Sequence, residues 1–419
     1  MMFATLLLTA APAQAQEEDT ASTIRGTLET IDNESRVPIG GVTITVSLDG
    51  VEVGTAVSGP DGDWEVQIPA AGSYDVELDV TTLPEGVSPT DPDRMALPDV
   101  AVRDGQNKSV RFNLGSGISS GISDLDRFLD LVVLGLKLGA IIALAAVGLS
   151  IVFGVTGLVN FAHGEFVTFG AVLAFFFHTA DSGPGWGLIA AAIPAVLLTA
   201  LFAGTQELTL WRPLRRRRTG SIAMLVISIG LSFAVRNVIL IVLGGEPESY
   251  EDFVIQEPTS ILGIDVVPKN LVIIGASVVI LGGVGLFLRY TQAGIAVRAV
   301  ADNKDLAESS GIDVNRVIMV AWLMGGVLAG LSGVFLGVSE KVEWNMGFRI
   351  LLLIFAAVVL GGLGTAFGAM LGGFVIGLSV EVSTFWITTE LKNGVALAIL
   401  VAMLLWRPQG LLGTRERIG

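Results

Sequence analysis

Apolar residues are distributed unevenly along the 419-residue chain, and the pattern changes near residue 127. Beyond that point, long apolar runs alternate with short polar loops, and the mean hydropathy of the whole chain is +0.70. A helix needs roughly 20 apolar residues to cross a bilayer, and most of these runs approach that length. The pattern predicts a mainly α fold, a polytopic membrane bundle of eight or nine transmembrane helices. The predicted spans are 128–153, 166–180, 186–210, 221–243, 270–288, 317–338, 350–363, 366–386 and 391–406.

The first part of the chain has the features of a small β-domain. Residues 42–46 and 74–78 alternate between apolar and polar side chains, as half-buried strands do. Asp49-Gly50 and Asp61-Gly62 are dipeptides that favour hairpin turns. Together these signals predict an extracytoplasmic antiparallel β-sandwich over residues 22–114.

Glycine, proline and aromatic residues recur in this domain at spacings that resemble the carboxypeptidase-regulatory-like and collagen-adhesin B-type sandwiches. Asp61-Gly62-x-Trp64 and Leu83-Pro84-Glu85-Gly86 are examples. In such modules the glycines form turns and the aromatic side chains fill the core. The resemblance implies a spacer or packing unit, and a role in binding is the alternative.

Two further segments complete the domain organisation. Residues 1–15 combine an apolar stretch with Ala13-Gln14-Ala15, which is typical of a signal-peptidase site, so they are predicted to be a signal peptide. Residues 115–126 are rich in glycine and serine, which favours a flexible linker. The membrane domain is then expected over residues 127–413.

Charge is concentrated in the polar part of the chain. Residues 16–126 hold 21 acidic and 6 basic residues, which accounts for the whole net charge of −15. An acidic domain outside the membrane disfavours nucleic acid as a partner. The chain has no cysteine and two histidines, so we expect no disulfide, no metal site and no cofactor.

The basic residues predict how the helices are oriented. Residues 211–218 and 407–417 are rich in arginine and residues 289–316 begin and end with one, so all three segments are expected on the cytoplasmic side. Counting three crossings back from Arg212 places residue 127 outside, which agrees with export of the acidic domain. The prediction is an N-terminal domain outside and a cytoplasmic C-terminus.

A polar cluster interrupts the apolar pattern at residues 160–165. Hydrocarbon cannot hydrate an amide, an imidazole and a carboxylate, so such groups are expected to line water, substrate or another helix. Asn160, His163 and Glu165, with Phe161 as an apolar neighbour, are therefore candidates for a substrate path. The same residues are equally compatible with holding the end of a broken helix together.

Glycines near this cluster predict breaks in the membrane helices. Gly154, Gly157 and Gly164 precede or lie within the cluster, and a similar spacing recurs at Gly361 and Gly364. Paired interruptions in two halves of a transporter can mark inverted repeats around a central site. Ordinary close helix packing explains such glycines equally well.

The longest cytoplasmic loop, between Arg289 and Arg316, is predicted to contain a short helix. Asp302 is placed to cap its start, and Gly311 is placed to end it in the left-handed conformation. A capped helix outside the bilayer is a candidate docking element, although a plain connecting helix would have the same signals.

Four motifs in the membrane part resemble the permease subunits of branched-chain amino acid ABC transporters of the LivH type. They lie in order at residues 148–165, 298–313, 357–364 and 407–413. The resemblance covers residues 130–413 and leaves out the acidic β-domain, which is therefore expected to be an addition to the family architecture.

The resemblance implies a multi-pass protein of the bacterial cell membrane that imports branched-chain amino acids. The implied partners are a second related permease, two cytoplasmic ATPases and an extracytoplasmic substrate-binding protein. The chain lacks a GxxxxGK[ST] phosphate loop, so we expect a transport subunit rather than an enzyme, with ATP hydrolysed by another chain. The residues implied to couple to the ATPase are Gly294, Arg298, Ala299, Asp302, Asn303 and Gly311.

Two other functions are compatible with parts of the sequence. A permease for urea or short amides would share the same helices, because a related branch of the family carries these compounds. A membrane-anchored adhesion or sensor protein would explain the exported sandwich, but an anchor needs only one apolar helix.

Overall fold

The chain forms two compact units, Met1–Gly121 and Ile122–Gly419. The signal peptide predicted at residues 1–15 and most of the predicted linker lie outside the described residues. The computed structural model describes residues 22–32, 35–48, 50–84, 87–89, 95–102, 107–110, 112, 114–116, 124–179, 183–250, 259–261, 264–407 and 409–413.

The N-terminal unit is built from two main β-sheets. One has the strand order β5-β4-β7-β9 and the other β10-β1-β6. Side chains from both sheets, among them Ile24, Trp64, Val46 and Tyr74, share one buried cluster, so the sheets pack face to face. The strands are β1 (Ser22–Thr27), β2 (Glu29–Asp32), β3 (Ser35–Pro38), β4 (Thr43–Leu48), β5 (Val51–Val57), β6 (Asp63–Ile68), β7 (Gly72–Leu78), β8 (Val87–Pro89), β9 (Ala96–Val102), β10 (Asn107–Ser109) and β11 (Leu114–Ser116).

Two details of this unit differ from the sequence prediction. The sandwich is not wholly antiparallel, because β1 pairs with β10 in parallel. Asp61-Gly62 does not form a hairpin: β5 pairs with β4 and β6 pairs with β1, so this turn joins two different sheets. Gly62 still needs its glycine, since its φ is +78° and a Cβ would overlap the Leu28 carbonyl oxygen.

The membrane unit is built from apolar helices, which are counted here among the residues that the structure describes. Seven segments are long and apolar enough to cross a membrane, and Met346–Gly361 is a shorter apolar helix. One of the seven, Leu188–Arg216, includes a π-helical turn at Glu207–Trp211. The helices are α1 (Asp124–Thr156), α2 (His163–His178), α3 (Leu188–Gln206), α4 (Arg212–Arg216), α5 (Ser221–Leu243), α6 (Pro268–Tyr290), α7 (Gln292–Asp302), α8 (Lys304–Ser309), α9 (Val314–Ser339), α10 (Met346–Gly361), α11 (Ala366–Ser383) and α12 (Lys392–Trp406).

Helix α1 is the centre of the membrane unit, and a seam of glycines joins it to α11. A Cβ on Gly377 would overlap the backbone of Gly139, and a Cβ on Gly373 would lie 2.5 Å from Ala143 Cα. Small residues let two helix backbones approach this closely without a driving force from water. By contrast, α5, α6 and α12 are mostly exposed in the isolated chain.

The loop between α6 and α9, which the sequence analysis predicted to be cytoplasmic, contains two short helices rather than one. Asp302 does not cap the second helix, because it is the last residue of α7. Asn303 caps α8 instead, and its Oδ1 accepts a hydrogen bond from the backbone N–H of Leu306 at 2.9 Å. Gly311 follows α8 with φ +85°, in the left-handed region that an L side chain disfavours.

The C-terminal segment returns to the end of α10 and satisfies its last carbonyl groups. Leu411 donates its backbone N–H to the Leu360 carbonyl at 2.8 Å, and Leu412 donates to the Gly361 carbonyl at 3.0 Å. Gly410 has φ +79° and lies so close to Gly362 that a Cβ would overlap it. This C-terminal clasp explains why a glycine follows the Arg-Pro-Gln sequence at residues 407–409.

Candidate functional site

Residues 157–162 form a non-helical segment that re-enters the membrane unit. The α1 helix ends at Thr156, and Gly157 reverses the chain with φ +68°. At the start of α2, His163 Nε2 lies 3.0 Å from the Ala145 carbonyl oxygen. Ala145 precedes the end of α1 by eleven residues, or about 16 Å of helix. The backbone of this segment must therefore run back alongside α1, so that α2 begins in the interior of the bundle.

The backbone of this re-entrant segment is hydrogen-bonded by side chains. Asn160 Oδ1 accepts from the Ala162 N–H at 3.0 Å, and Ser228 Oγ on α5 accepts from the Phe161 N–H at 3.1 Å. Non-helical backbone at membrane depth persists only where protein or a cavity covers it. One of these hydrogen bonds lies within the segment, and the other joins the segment to α5.

The glycines predicted to break helices have different roles. Gly154 lies inside α1 and Gly164 inside α2, so neither is a break. Both allow close approach: a Cβ would lie 3.1 Å from the Gly364 carbonyl oxygen at Gly154 and 2.8 Å from the Gly347 carbonyl oxygen at Gly164. Of these three glycines, only Gly157 lies in the non-helical segment after α1, and its φ is positive.

The second pair of glycines lies where α10 gives way to α11. Gly361 is the last residue of α10, and Gly364 follows it in the turn with φ +80°. A Cβ on Gly361 would overlap the backbone of Gly368 in α11, so this turn is closely packed.

Glu165, in the first turn of α2, forms a buried ion pair with α5. Ser232 donates a 2.6 Å hydrogen bond to Glu165 Oε1, and Arg236 Nε lies 3.7 Å from the same oxygen. The Arg236 guanidinium also lies 3.9 Å from the centre of the Phe348 ring on α10. A cation over an aromatic face is stabilised by the ring quadrupole. Three helices therefore meet at one charge pair.

The α5 helix contributes a polar stripe that the sequence analysis missed. Ser228, Ser232 and Arg236 are spaced four residues apart, so they share one face of the helix, and all three are buried. The outward face of α5 is apolar, with Ile241 83% exposed. The signal was available in the sequence, because a lone arginine in an apolar span requires a partner.

The predicted substrate-path residues face the interior of the membrane unit. His163 is 1% exposed, and Asn160 and Glu165 are 0% exposed. Phe161 packs on Phe355 of α10, with 4.9 Å between ring centres. The structure therefore places all four residues within or directly after the re-entrant segment, facing the interior of the membrane unit.

The predicted coupling residues lie on α7, α8 and the loop after them. Gly294 faces inward, since a Cβ would overlap the Phe287 carbonyl oxygen, whereas Arg298, Asp302 and Asn303 are exposed. Ala301 at the end of α7 approaches α1, because its Cβ lies 3.4 Å from the position that a Cβ on Gly154 would occupy.

Two large apolar side chains on these short helices are exposed to solvent. Ile295 on α7 is 49% exposed, and Leu306 on α8 is 65% exposed. Ala299 is only half-buried, and it lies on α7 between the buried Val297 and Val300. One face of the helical pair therefore packs on the bundle and the other presents apolar and charged groups.

These features define a multi-pass membrane protein with an interrupted helix at its centre, as in transport permeases. Residues 131–404 match the family model for the permease component of branched-chain amino acid transport systems. The chain belongs to this family, and the N-terminal β-domain lies outside the match.

Three permeases of the LivH and BraD type match over almost their whole length. LivH, the high-affinity branched-chain amino acid permease of Escherichia coli K12, is 30% identical over 299 residues, which covers 69% of this chain and 96% of LivH. LivH of Salmonella typhimurium is 31% identical with the same coverage. BraD of Pseudomonas aeruginosa is 30% identical over 305 residues, which covers 70% of this chain and 98% of BraD.

Proposed function

We propose that the chain is one permease subunit of an ATP-driven importer for branched-chain amino acids. The observation that carries this proposal is the 30% identity across 96% of E. coli LivH, a permease named for high-affinity branched-chain amino acid transport. The family match over residues 131–404 includes most of α1, all of α2, and the short helices α7 and α8.

The proposed importer has several other subunits. A second related permease would cover the exposed apolar faces of α5 and its neighbours, two cytoplasmic ATPases would hydrolyse ATP, and an extracytoplasmic binding protein would deliver the cargo. The proposed location is the bacterial cell membrane.

In the proposed orientation, the N-terminal domain is outside and the C-terminus is in the cytoplasm. The basic loops support it, and so does the packing at one end of the bundle. Gly154 at the end of α1 lies against Ala301 and Gly364, and the C-terminal clasp binds the end of α10 beside them. The loop 289–316 and the described residues 409–413, which follow Arg407, therefore lie at the same end of the membrane unit. Export would depend on the signal peptide at residues 1–15, and the β-domain would act as an external spacer.

The proposed coupling element is the helical pair α7 and α8. Ile295 and Leu306 would insert into the ATPase, with Arg298, Asp302 and Asn303 around them. Movement of α7 would reach α1 through the contact of Ala301 with Gly154, only a few residues before the re-entrant segment. The coupling element would thus pack directly against the end of α1, next to the re-entrant segment.

The proposed role of Asn160, His163 and Glu165 is to brace this interruption. Each forms its hydrogen bonds within the membrane unit, and Glu165 joins α2 to the loosely packed α5. A helix held mainly by a few polar contacts can move when those contacts rearrange. We therefore propose that the ion pair of Glu165 and Arg236 holds α2 against α5 and must break before the two helices separate. This ion pair is called the latch below.

The test of this function is stimulation of ATP hydrolysis by cargo. The chain is reconstituted with its neighbouring permease, ATPases and binding protein, and hydrolysis is measured with leucine, isoleucine, valine, urea and acetamide. We expect several-fold stimulation by the three amino acids and none by the amides. Stimulation by urea or acetamide alone would assign the chain to amide transport instead.

A further inference from the structure

An apolar crevice of about 780 Å³ opens between α2 and α5 in the membrane unit. Small-molecule sites typically have volumes of about 300–1,000 Å³. Phe169 and Leu173 line the crevice from α2, and Val238 and Val242 line it from α5. These side chains offer no hydrogen-bonding group, so the part of a ligand that lies among them must be apolar.

Polar groups lie only at the outer end of this crevice, among the residues that line it. Thr179 follows the end of α2, and Glu248 and Ser249 belong to the loop after α5. The backbone of Glu248 is fixed by two hydrogen bonds to Val342, at 2.9 and 2.7 Å. A carboxylate on a fixed backbone, at a crevice end that two hydroxyl-bearing residues also line, is suited to bind an ammonium group.

The inner end of the crevice lies next to the latch. Glu165 is one helical turn before Phe169 on α2, and Arg236 is about one turn before Ile239 on α5. The same two helices therefore carry an apolar site near the outer side and a buried ion pair below it. Separation of α2 from α5 would open both together.

We propose that the crevice receives the amino acid after release from the binding protein, before the latch opens. The aliphatic side chain lies among Phe169, Leu173 and Val242, and the ammonium group binds Glu248. This inference rests on the proposed function, which supplies the class of cargo and the direction of transport. The apolar walls set the size limit, because a hydrophobic pocket discriminates against side chains that it cannot accommodate.

The first test uses the absence of cysteine from the chain. Val242→Cys in the crevice and Glu246→Cys in the outer loop are each introduced alone, and the complete complex is labelled with N-ethylmaleimide. We expect leucine, with its binding protein, to slow labelling of Val242→Cys at least threefold and to leave Glu246→Cys unchanged. Equal labelling rates with and without leucine at both positions would overturn the inference.

The second test changes the volume of the crevice. Leu173→Ala should let phenylalanine compete with leucine for uptake, and Leu173→Trp should lower leucine uptake at least tenfold. Ile189→Trp, at the start of α3, where the side chain is 85% exposed and does not line the crevice, should leave uptake within twofold of the unmodified complex. If a lipid chain rather than cargo occupies the crevice, none of these variants changes selectivity.

A matched pair of glutamates tests the ammonium site. Glu248→Gln should lower the maximal rate of leucine uptake at least fivefold, and Glu246→Gln should not, because only Glu248 lines the crevice. If the unmodified complex transports leucine and Glu248→Gln transports it equally fast, the crevice is not the cargo site. Failure of the unmodified complex to transport leucine would instead contradict the proposed function.

Discussion

Ser232 on α5 donates a 2.6 Å hydrogen bond to Glu165 on α2, and this contact ties the start of α2 to a helix that is otherwise mostly exposed. Glu165 is separated from Ser232 by 67 positions in the sequence, so the polar cluster at residues 160–165 is completed from a distant part of the chain.

The effects on stability of replacing Glu165 and Arg236 should be strongly coupled. Arg236→Ala leaves the Glu165 carboxylate buried without its charge partner, which costs about 3–5 kcal/mol in comparable buried pairs. We expect a lower thermal unfolding midpoint for the purified membrane complex. The double variant Glu165→Leu with Arg236→Met removes both charges and should recover most of the loss. Equal destabilisation by the single and double variants would contradict the latch.

His163 should affect stability rather than selectivity. His163→Phe keeps a ring of similar volume but removes the hydrogen bond to the Ala145 carbonyl, a loss of about 1 kcal/mol. Thermal unfolding of the complex should show this loss, and His163→Gln, which retains a donor, should recover part of it. The preference for leucine over larger amino acids should stay unchanged in both. A change of that preference would show that His163 contacts cargo.

The glycine seam between α1 and α11 should not tolerate even one methyl group. Gly377→Ala places a Cβ on the backbone of Gly139, and overpacking of this kind costs about 1–3 kcal/mol or more. Gly282→Ala on α6 is the matched control, because nothing lies within 4 Å of its Cβ position. We expect a loss of folded protein in size-exclusion chromatography for Gly377→Ala only. Comparable elution profiles for the two variants would show that α1 and α11 are less closely packed.

Gly311 should be needed for its backbone conformation. At φ +85°, a β-branched residue is strained, whereas asparagine tolerates the left-handed region. Gly311→Val should therefore distort the end of α8 and uncouple ATP hydrolysis from leucine uptake, and Gly311→Asn should preserve the coupling. The ratio of ATP hydrolysed to leucine imported measures this effect. A normal ratio in Gly311→Val would argue against docking at α7 and α8.

The sequence predicted the positions of the membrane helices well, because long apolar runs depend only on local composition. Each of the nine predicted spans overlaps one long helix, and the ends differ by a few residues. The matched helices are α1, α2, α3, α5, α6, α9, α10, α11 and α12. The cap of α8 was predicted at Asp302, one residue before the observed cap, Asn303. Both residue types are good helix caps, and only the path of the backbone after α7 decides which of the two caps α8. The membrane permease class was likewise accessible from motifs that lie close together in sequence.

Long-range contacts could not be predicted in the same way. The polar stripe on α5 indicates which face of that helix turns inward, but its pairing with Glu165 depends on how α5 packs on α2, which the sequence does not show. The clasp of Leu411 on Leu360 also depends on tertiary contacts, although the motif that contains it was recognised. Gly154 and Gly164 were assigned as breaks because glycine allows both a break and close packing.

Leucine uptake against a concentration gradient tests the proposed function most directly. The complete complex is placed in proteoliposomes with the binding protein on one side and ATP on the other, and labelled leucine, urea and acetamide are offered separately. The expected result is accumulation of leucine above its external concentration, dependent on ATP and on the binding protein, with no accumulation of either amide. An assembled complex that hydrolyses ATP but never concentrates leucine, isoleucine or valine would contradict the assignment as a branched-chain amino acid permease.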